Sequence, residues 1–268
     1  TIFSEPAHVW ETATGYRMGP GLPGMAVAGL PNSATYAALG PTGVSFWNPA
    51  TGLRKDVLPY SGKGVLTLVC SADGSRWAVA SGDEVCSLYL RDDDQAAKRF
   101  TDHSRAVTAA RFLPDSRTLV TASRDQTLRV WNSDSGESIR TLHNHSGDVT
   151  ALAVKPSPAA TQKPIGLPII ASASADLTVR FWQPTIGRMV RFARVPSQPL
   201  CLAWIAGGER LVAGCQDGQA RVSDPLRVAV TESLEVSPGW LYCSAVDRRS
   251  DRRVVFGTVN GETTAVQF

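Results

Sequence analysis

The sequence predicts an all-β protein, a seven-bladed β-propeller of four-stranded antiparallel blades. Three observations carry that expectation. A short pattern recurs along the whole chain at an interval of about 40 residues. Each interval holds four short β-like runs. Glycine and proline are scattered throughout, with 23 Gly and 17 Pro in 268 residues, which favours many turns over long helices. The chain is 43% apolar and 19% charged, enough to fill a core and too apolar for disorder.

The recurrence is plainest in two neighbouring segments, TLVTASRDQTLRVW at 118–131 and PIIASASADLTVRFW at 168–182. In both, Asp precedes Trp by six residues and a Ser precedes that Asp by two. Extended along the chain, the Asp-like position falls at Ser4, Pro41, Asp83, Asp125, Asp176, Asp217 and Asn260. The Trp-like position falls at Trp10, Trp47, Tyr89, Trp131, Trp182, Ser223 and Val266. Successive Asp-like positions are 37, 42, 42, 51, 41 and 43 residues apart. A Gly also follows Trp by five at Gly15, Gly52, Gly136 and Gly187.

Within one period the four runs are 107–112, 118–122, 127–131 and 138–142, punctuated by Pro114, Asp115, Asp125 and Gly136. The inner runs are nearly continuously apolar, as strands covered on both faces should be. Four-stranded units at a ~40–45-residue period are propeller blades. The interval of 51 marks an insertion at 155–167, rich in Pro and Ala, read as an exposed loop between the first and second strands of one blade.

These spacings resemble the WD-repeat family over the whole chain, most strongly in residues 101–187. The Trp-Asp dipeptide is absent: Asn132 follows Trp131 and Gln183 follows Trp182. The resemblance implies two structural tetrads, His103, Ser123, Asp125, Trp131 and His145, Ser174, Asp176, Trp182. In each, Asp accepts from His, His meets Ser, and Ser reaches the indole. It also implies that partners use the face bearing the turn before the third strand, which here selects Arg105, Arg124, Asp148, Ala175 and Gln216, with Trp240 as an aromatic anchor.

One propeller over 1–268 is expected, with a partial first blade at 1–19 and a partial last blade at 238–268. Residues 1–3 read as the tail of a second strand, 8–10 as a third and 16–18 as a fourth. The last blade stops after its third. Family closure, in which an N-terminal strand completes the last blade, would need roughly 25–30 further residues upstream. A six-bladed ring is the alternative.

The Ser-His-Asp sets invite comparison with a hydrolase, but their recurrence at the period of the fold points to scaffold. His143 and His145 lack Cys or carboxylate neighbours at ligand spacing, so no metal site is expected. Asp92, Asp93 and Asp94 lack the Gly and closing Glu of a calcium loop. The run at 247–253 mixes four Arg with two Asp, and Arg188, Arg191 and Arg194 sit on or beside an outer strand; both read as solvated. With a net charge of only +3, no specific nucleic-acid partner is expected, and no run approaches the ~18 apolar residues of a membrane span. The five Cys, none in a CxxC pair, read as thiols of a reducing intracellular (cytoplasmic) compartment.

The function that follows is a scaffold or adaptor for other proteins or peptides, without cofactor and without catalysis. Two alternatives are a docking module serving covalently linked domains outside this chain and, behind it, a propeller hydrolase or lyase. Inner runs such as MAVA at 25–28, VLTL at 65–68 and LCLA at 200–203 lack the converging carboxylates or His such an enzyme needs.

Overall fold

The computed structural model describes residues 7–10, 17–22, 26–29, 36–40, 43–48, 51, 54–59, 65–90, 96–156, 167–247, 250 and 252–268. They form seven antiparallel sheets laid out in chain order. The first contains Ala7–Trp10 (β1) and Arg17–Leu22 (β2). The second contains Ala26–Gly29 (β3), Tyr36–Gly40 (β4), Gly43–Trp47 (β5) and Arg54–Pro59 (β6). The third contains Val65–Cys70 (β7), Arg76–Ser81 (β8), Cys86–Leu90 (β9) and Ala96–Phe100 (β10).

The fourth sheet is Val107–Phe112 (β11), Thr118–Ser123 (β12), Leu128–Asn132 (β13) and Ser138–Leu142 (β14). The fifth is Val149–Val154 (β15), Ile170–Ser174 (β16), Thr178–Gln183 (β17) and Arg188–Arg194 (β18). The sixth is Pro199–Ile205 (β19), Arg210–Cys215 (β20), Gln219–Asp224 (β21) and Ala229–Glu235 (β22). The seventh is Leu241–Val246 (β23), Arg253–Thr258 (β24) and Thr263–Gln267 (β25). Each four-stranded sheet is a meander in which consecutive strands pair.

This is the strand plan of a seven-bladed propeller. One expected boundary moves: β2 runs on to Leu22 through Gly19, Pro20 and Gly21, beyond the 16–18 run expected of the fourth strand and the expected end of the first blade at 19. Proline is tolerated there because β2 lies at the edge of its sheet, where a missing N–H costs no ladder bond. Residues 1–3, expected to end a second strand, and most of the 155–167 insertion lie outside the described residues.

The core lies between the blades. Innermost strands pack in succession, β3 on β7, β7 on β11, and so on to β23. The apolar cluster between the third and fourth sheets joins Ala78, Leu88 and Phe100 to Val107, Phe112 and Trp131. The next joins Ala109, Val120 and Leu128 to Leu152, Ile170 and Trp182. Each Trp thus fills the gap toward the preceding blade. Being covered on both faces is why β12 and β16 read as unbroken apolar and small residues rather than as alternating strands.

Every innermost strand from β7 to β23 carries a register shift after its first residue. Two of the displaced residues are Thr108 and Thr150. Thr108 Oγ1 donates to the Val149 carbonyl and Thr150 Oγ1 to the Pro199 carbonyl, both at 2.6 Å. The bulge therefore turns a side chain out of its own sheet and onto the next blade.

Candidate functional site: turn networks and the face they hold

Among the described residues, the second-to-third-strand turns of the third to seventh blades share one local rule. The residue after the Asp-like position has positive φ in five blades: Glu84 (70°), Gln126 (72°), Leu177 (62°), Gly218 (77°) and Gly261 (79°). The Asp side chain stabilises the turn. Asp125 Oδ1 accepts from the Thr127 amide at 2.9 Å and the Thr127 hydroxyl at 2.7 Å. Asp176 Oδ1 accepts from Thr178 in the same way, at 3.0 and 2.6 Å.

The other oxygen of each Asp reaches into the blade. Asp125 Oδ2 accepts from His103 Nδ1 at 2.7 Å, and Asp176 Oδ2 from His145 Nδ1 at 2.8 Å. The second nitrogen of each imidazole corrects the expected tetrads. His103 Nε2 meets Thr121 Oγ1 at 2.8 Å, and that hydroxyl accepts from Trp131 Nε1 at 2.8 Å. His145 Nε2 meets Ser172 Oγ at 2.7 Å, and Ser172 accepts from Trp182 Nε1 at 2.8 Å. The hydroxyls of the tetrads are therefore Thr121 and Ser172, not Ser123 and Ser174.

The reason is strand geometry. Trp131 sits opposite Leu119, and Trp182 opposite Ile170. An indole can reach a residue two along the facing strand, on the same face. Ser123 and Ser174 lie four along, about 13 Å at the rise of a strand, beyond its reach. They serve the turn instead. Ser123 Oγ donates to the Arg105 carbonyl and accepts from the Asp125 amide; Ser174 does the same with Gly147 and Asp176.

One signal in the sequence separates the two hydroxyls. The residue four before Asp is Thr121 or Ser172 in the blades that have His and Trp, but Val79 and Ala213 in blades that lack them. The residue two before Asp stays polar or thiol regardless, as Ser81, Ser123, Ser174 and Cys215. Blades without His pair the Asp otherwise: Ser81 Oγ donates to Asp83, and Arg221 grips Asp217 through both terminal nitrogens, the Nη1 contact being 2.8 Å.

Burial alone would raise the Asp176 carboxyl, but hydrogen bonds from Thr178 and His145 outweigh it and hold the group at about 2, below its ordinary 3.8. Asp125 lies lower still, through His103 and Thr127 acting against its burial. Burial pushes the His145 imidazole below its ordinary 6.5, only partly opposed by Asp176. The His145–Asp176 pair is thus a neutral imidazole beside a carboxylate. His145, Ser172 and Asp176 have the connectivity of a Ser-His-Asp triad, but Ser172 is fully buried and its oxygen is occupied by the Trp182 indole. No reacting carbonyl can approach it.

The turns are tied to the approach of the first strand by one backbone bond repeated in four blades. Arg124 N donates to Ala106 O at 3.0 Å, Ala175 N to Asp148 O at 2.9 Å, Gln216 N to Gln198 O at 2.9 Å, and Val259 N to Trp240 O at 3.1 Å. Arg105, Arg124, Asp148, Ala175, Gln216 and Trp240 therefore hold equivalent places, at or beside one rung per blade. Four of them are joined directly: Arg105 Nη1 lies 3.5 Å from Asp148 and donates to the Arg124 carbonyl at 3.3 Å, and the Asp148 carbonyl holds Ala175.

Trp240 is 41% exposed and stands 5.5 Å, ring centre to ring centre, from Tyr242, itself exposed. Val259 and Leu177 are exposed on the same turns. Sequence reading passes over Tyr242, which sits inside an apolar run, and over Val259 and Leu177, which are single apolar residues in polar turns, because neither setting leaves a periodic pattern. Among the described residues, no group of three or more His, Cys, Asp or Glu is placed to hold a metal ion. No helix there is long and apolar enough to cross a membrane.

Residues 95–132 and 136–183 match the family model described as WD domain, G-beta repeat. Each matched unit begins one strand before a blade, taking the outer strand of one sheet with the first three of the next. Eukaryotic translation initiation factor 3 subunit I of Neurospora crassa is 30% identical over 160 residues, covering 53% of this chain and 44% of that protein. Guanine nucleotide-binding protein subunit beta of Oryza sativa subsp. japonica is 26% identical over 193 residues, covering 66% and 49%. The match thus spans about half the length of these curated relatives. Among solved structures, the crystal structure of the computationally designed Ika8 protein superposes with a TM-score of 0.74 at 20% identity, over 99% of this chain and 79% of that one.

Proposed function

We propose, from the premise that this is a WD-repeat β-propeller, that it is an interaction scaffold whose partner docks on the face of the second-to-third-strand turns. The observation that carries the reading is the repeated rung. Four blades present the same pair of backbone positions at one end, rigidly bonded, with Arg105 and Arg124 exposed in one blade and the Trp240–Tyr242 pair exposed in another. A rigid scaffold that holds exposed arginine and aromatic side chains loses little entropy on binding, and these residue types dominate interface hot spots.

The relatives are named as subunits of larger assemblies, which fits a chain that acts through its neighbours. The Ser-His-Asp constellations support the scaffold reading over a hydrolase, since both imidazoles are buried and held at both nitrogens. The thiols fit an intracellular setting. Burial pushes Cys86 and Cys201 up to about 12, so they stay protonated and inert at neutral pH.

Hydroxyl-radical footprinting of the isolated chain against its native assembly tests the reading. Trp240, Tyr242, Val259 and Leu177 should be protected in the assembly, while Leu226, 80% exposed in the turn between β21 and β22, should not. Protection of Leu226 with the four left open would move the interface elsewhere.

A further inference from the structure

At the far end of the innermost strands, away from the turn face, five blades close around a cavity of about 360 Å³. Its wall includes Cys70, Arg111, Phe112, Trp204 and Val246, and Arg111 is the one charged side chain among the described residues that line it. Nη1 of Arg111 donates to the Ala110 carbonyl at 2.8 Å. No carboxylate among the described residues pairs with it.

That sets Arg111 apart from the other partly buried arginines among the described residues, each of which has a carboxylate, whereas the arginines with none are exposed to solvent. Arg76 and Arg117 both reach Asp134, Arg129 reaches Asp102, Arg210 reaches Glu232 and Arg221 reaches Asp217. Desolvation lowers the Arg111 pKa, though an arginine there stays charged at neutral pH. A second cation stands nearby: Lys155 Nζ lies 5.9 Å from the centre of the Trp204 ring. The Trp204 indole N–H already donates to the Ala153 carbonyl at 3.2 Å, so Trp204 gives the cavity wall apolar ring surface rather than a donor.

A half-buried guanidinium without a counter-ion is unfavourable, and an anion brought to it relieves that penalty. The planar fork of arginine matches phosphate and carboxylate oxygens two at a time. The volume is near the low end of small-molecule pockets, ~300–1,000 Å³, and exceeds what a bare inorganic ion fills. Phe112, Val246 and the Trp204 ring supply apolar contact. We infer that the cavity is a binding site for a compact organic oxyanion, a phosphate monoester or carboxylate carrying an aromatic or apolar body, with Arg111 holding the oxyanion.

Isothermal titration of the full chain with phenyl phosphate, inorganic phosphate and phenol is the test, with benzoate as the carboxylate arm. Saturable binding of phenyl phosphate or benzoate is expected, at least tenfold tighter than inorganic phosphate or phenol. Arg111→Gln should weaken it tenfold or more, Arg111→Lys less, and Lys155→Ala should give a smaller loss. Absence of saturable binding by the wild-type chain overturns the site without recourse to any variant. So does equal binding of phenol, or undiminished binding by a folded Arg111→Gln chain. Inorganic phosphate binding as tightly as the organic anions overturns the assigned ligand class.

Discussion

Thr121 and Ser172 each stand between an imidazole and an indole, so removing either hydroxyl strands two buried groups at once. A buried donor or acceptor left unmade costs about 1–3 kcal/mol, so Thr121→Val should lower unfolding free energy by about 2–4 kcal/mol in denaturant titration. A cycle with Trp131→Phe should show strong coupling, because the two side chains share one bond; Ser123→Ala with Trp131→Phe should be additive. Additive Thr121 and coupled Ser123 would restore the expected tetrad. The His145–Asp176 pair that Ser172 completes sets the response to acid. His145 is neutral and depressed in the folded state, so the unfolded chain takes up its proton first and stability falls as pH drops below 6.5. Asp176 is depressed too, and its contribution, complete above 3.8, is lost as pH falls through about 2. Thermal melts from neutral to acid pH should therefore show Tm declining in two stages, first below 6.5 and again below 3.8. A Tm flat between neutrality and 4 would contradict the neutral buried imidazole.

At the scale of the element, the second-to-third-strand turn makes two opposite demands at one position. Leu177 is exposed and has a φ of 62°, a conformation that L residues with a side chain adopt at a cost of roughly 1–2 kcal/mol. Leu177→Gly should raise stability by up to about 1 kcal/mol, read as a higher Tm. Gly218 is the equivalent residue one blade on, and there a Cβ would stand 1.8 Å from the Ser237 carbonyl oxygen. Gly218→Ala should be strongly destabilising, and a neutral outcome would mean that the turn is not held as described. Elements were the most legible level in the sequence. The β11 to β14 runs are found within a residue, because two-face burial gives continuous apolar stretches and Asp, Gly and Pro mark the turns. The partner of the Trp indole was less legible, since two hydroxyls two residues apart on one face look alike until the facing register is known. The Trp-to-Gly spacing had a cause that only geometry supplies: Gly136 and Gly187 sit at φ of 82° and 75° in the turn before the outer strand.

The whole molecule divides its chemistry by location. Polar networks are buried within blades, apolar clusters lie between them, and the turn face gathers exposed side chains on backbone rungs repeated from blade to blade. Neither the rungs nor the cavity around Arg111 could be read from one-dimensional spacing: each rung joins main-chain atoms within one blade, which side-chain identities do not mark, and the cavity depends on residues of five blades meeting at one end of their innermost strands. The Arg105–Asp148 contact joins residues of consecutive blades, with both side chains at least 40% exposed. An exposed pair of this kind contributes at most about 1 kcal/mol to folding, so it is free to be replaced by a partner's groups without loss of the fold. The most direct measurement is therefore capture of the native partner by the wild-type chain and by the Arg105→Glu, Arg124→Glu, Trp240→Ala variant, with Tm recorded for both. The scaffold account predicts an essentially unchanged Tm and at least a tenfold loss of binding. Full binding by the folded variant would place the docking surface elsewhere, and a collapse of Tm would show that these residues maintain the fold rather than its contacts.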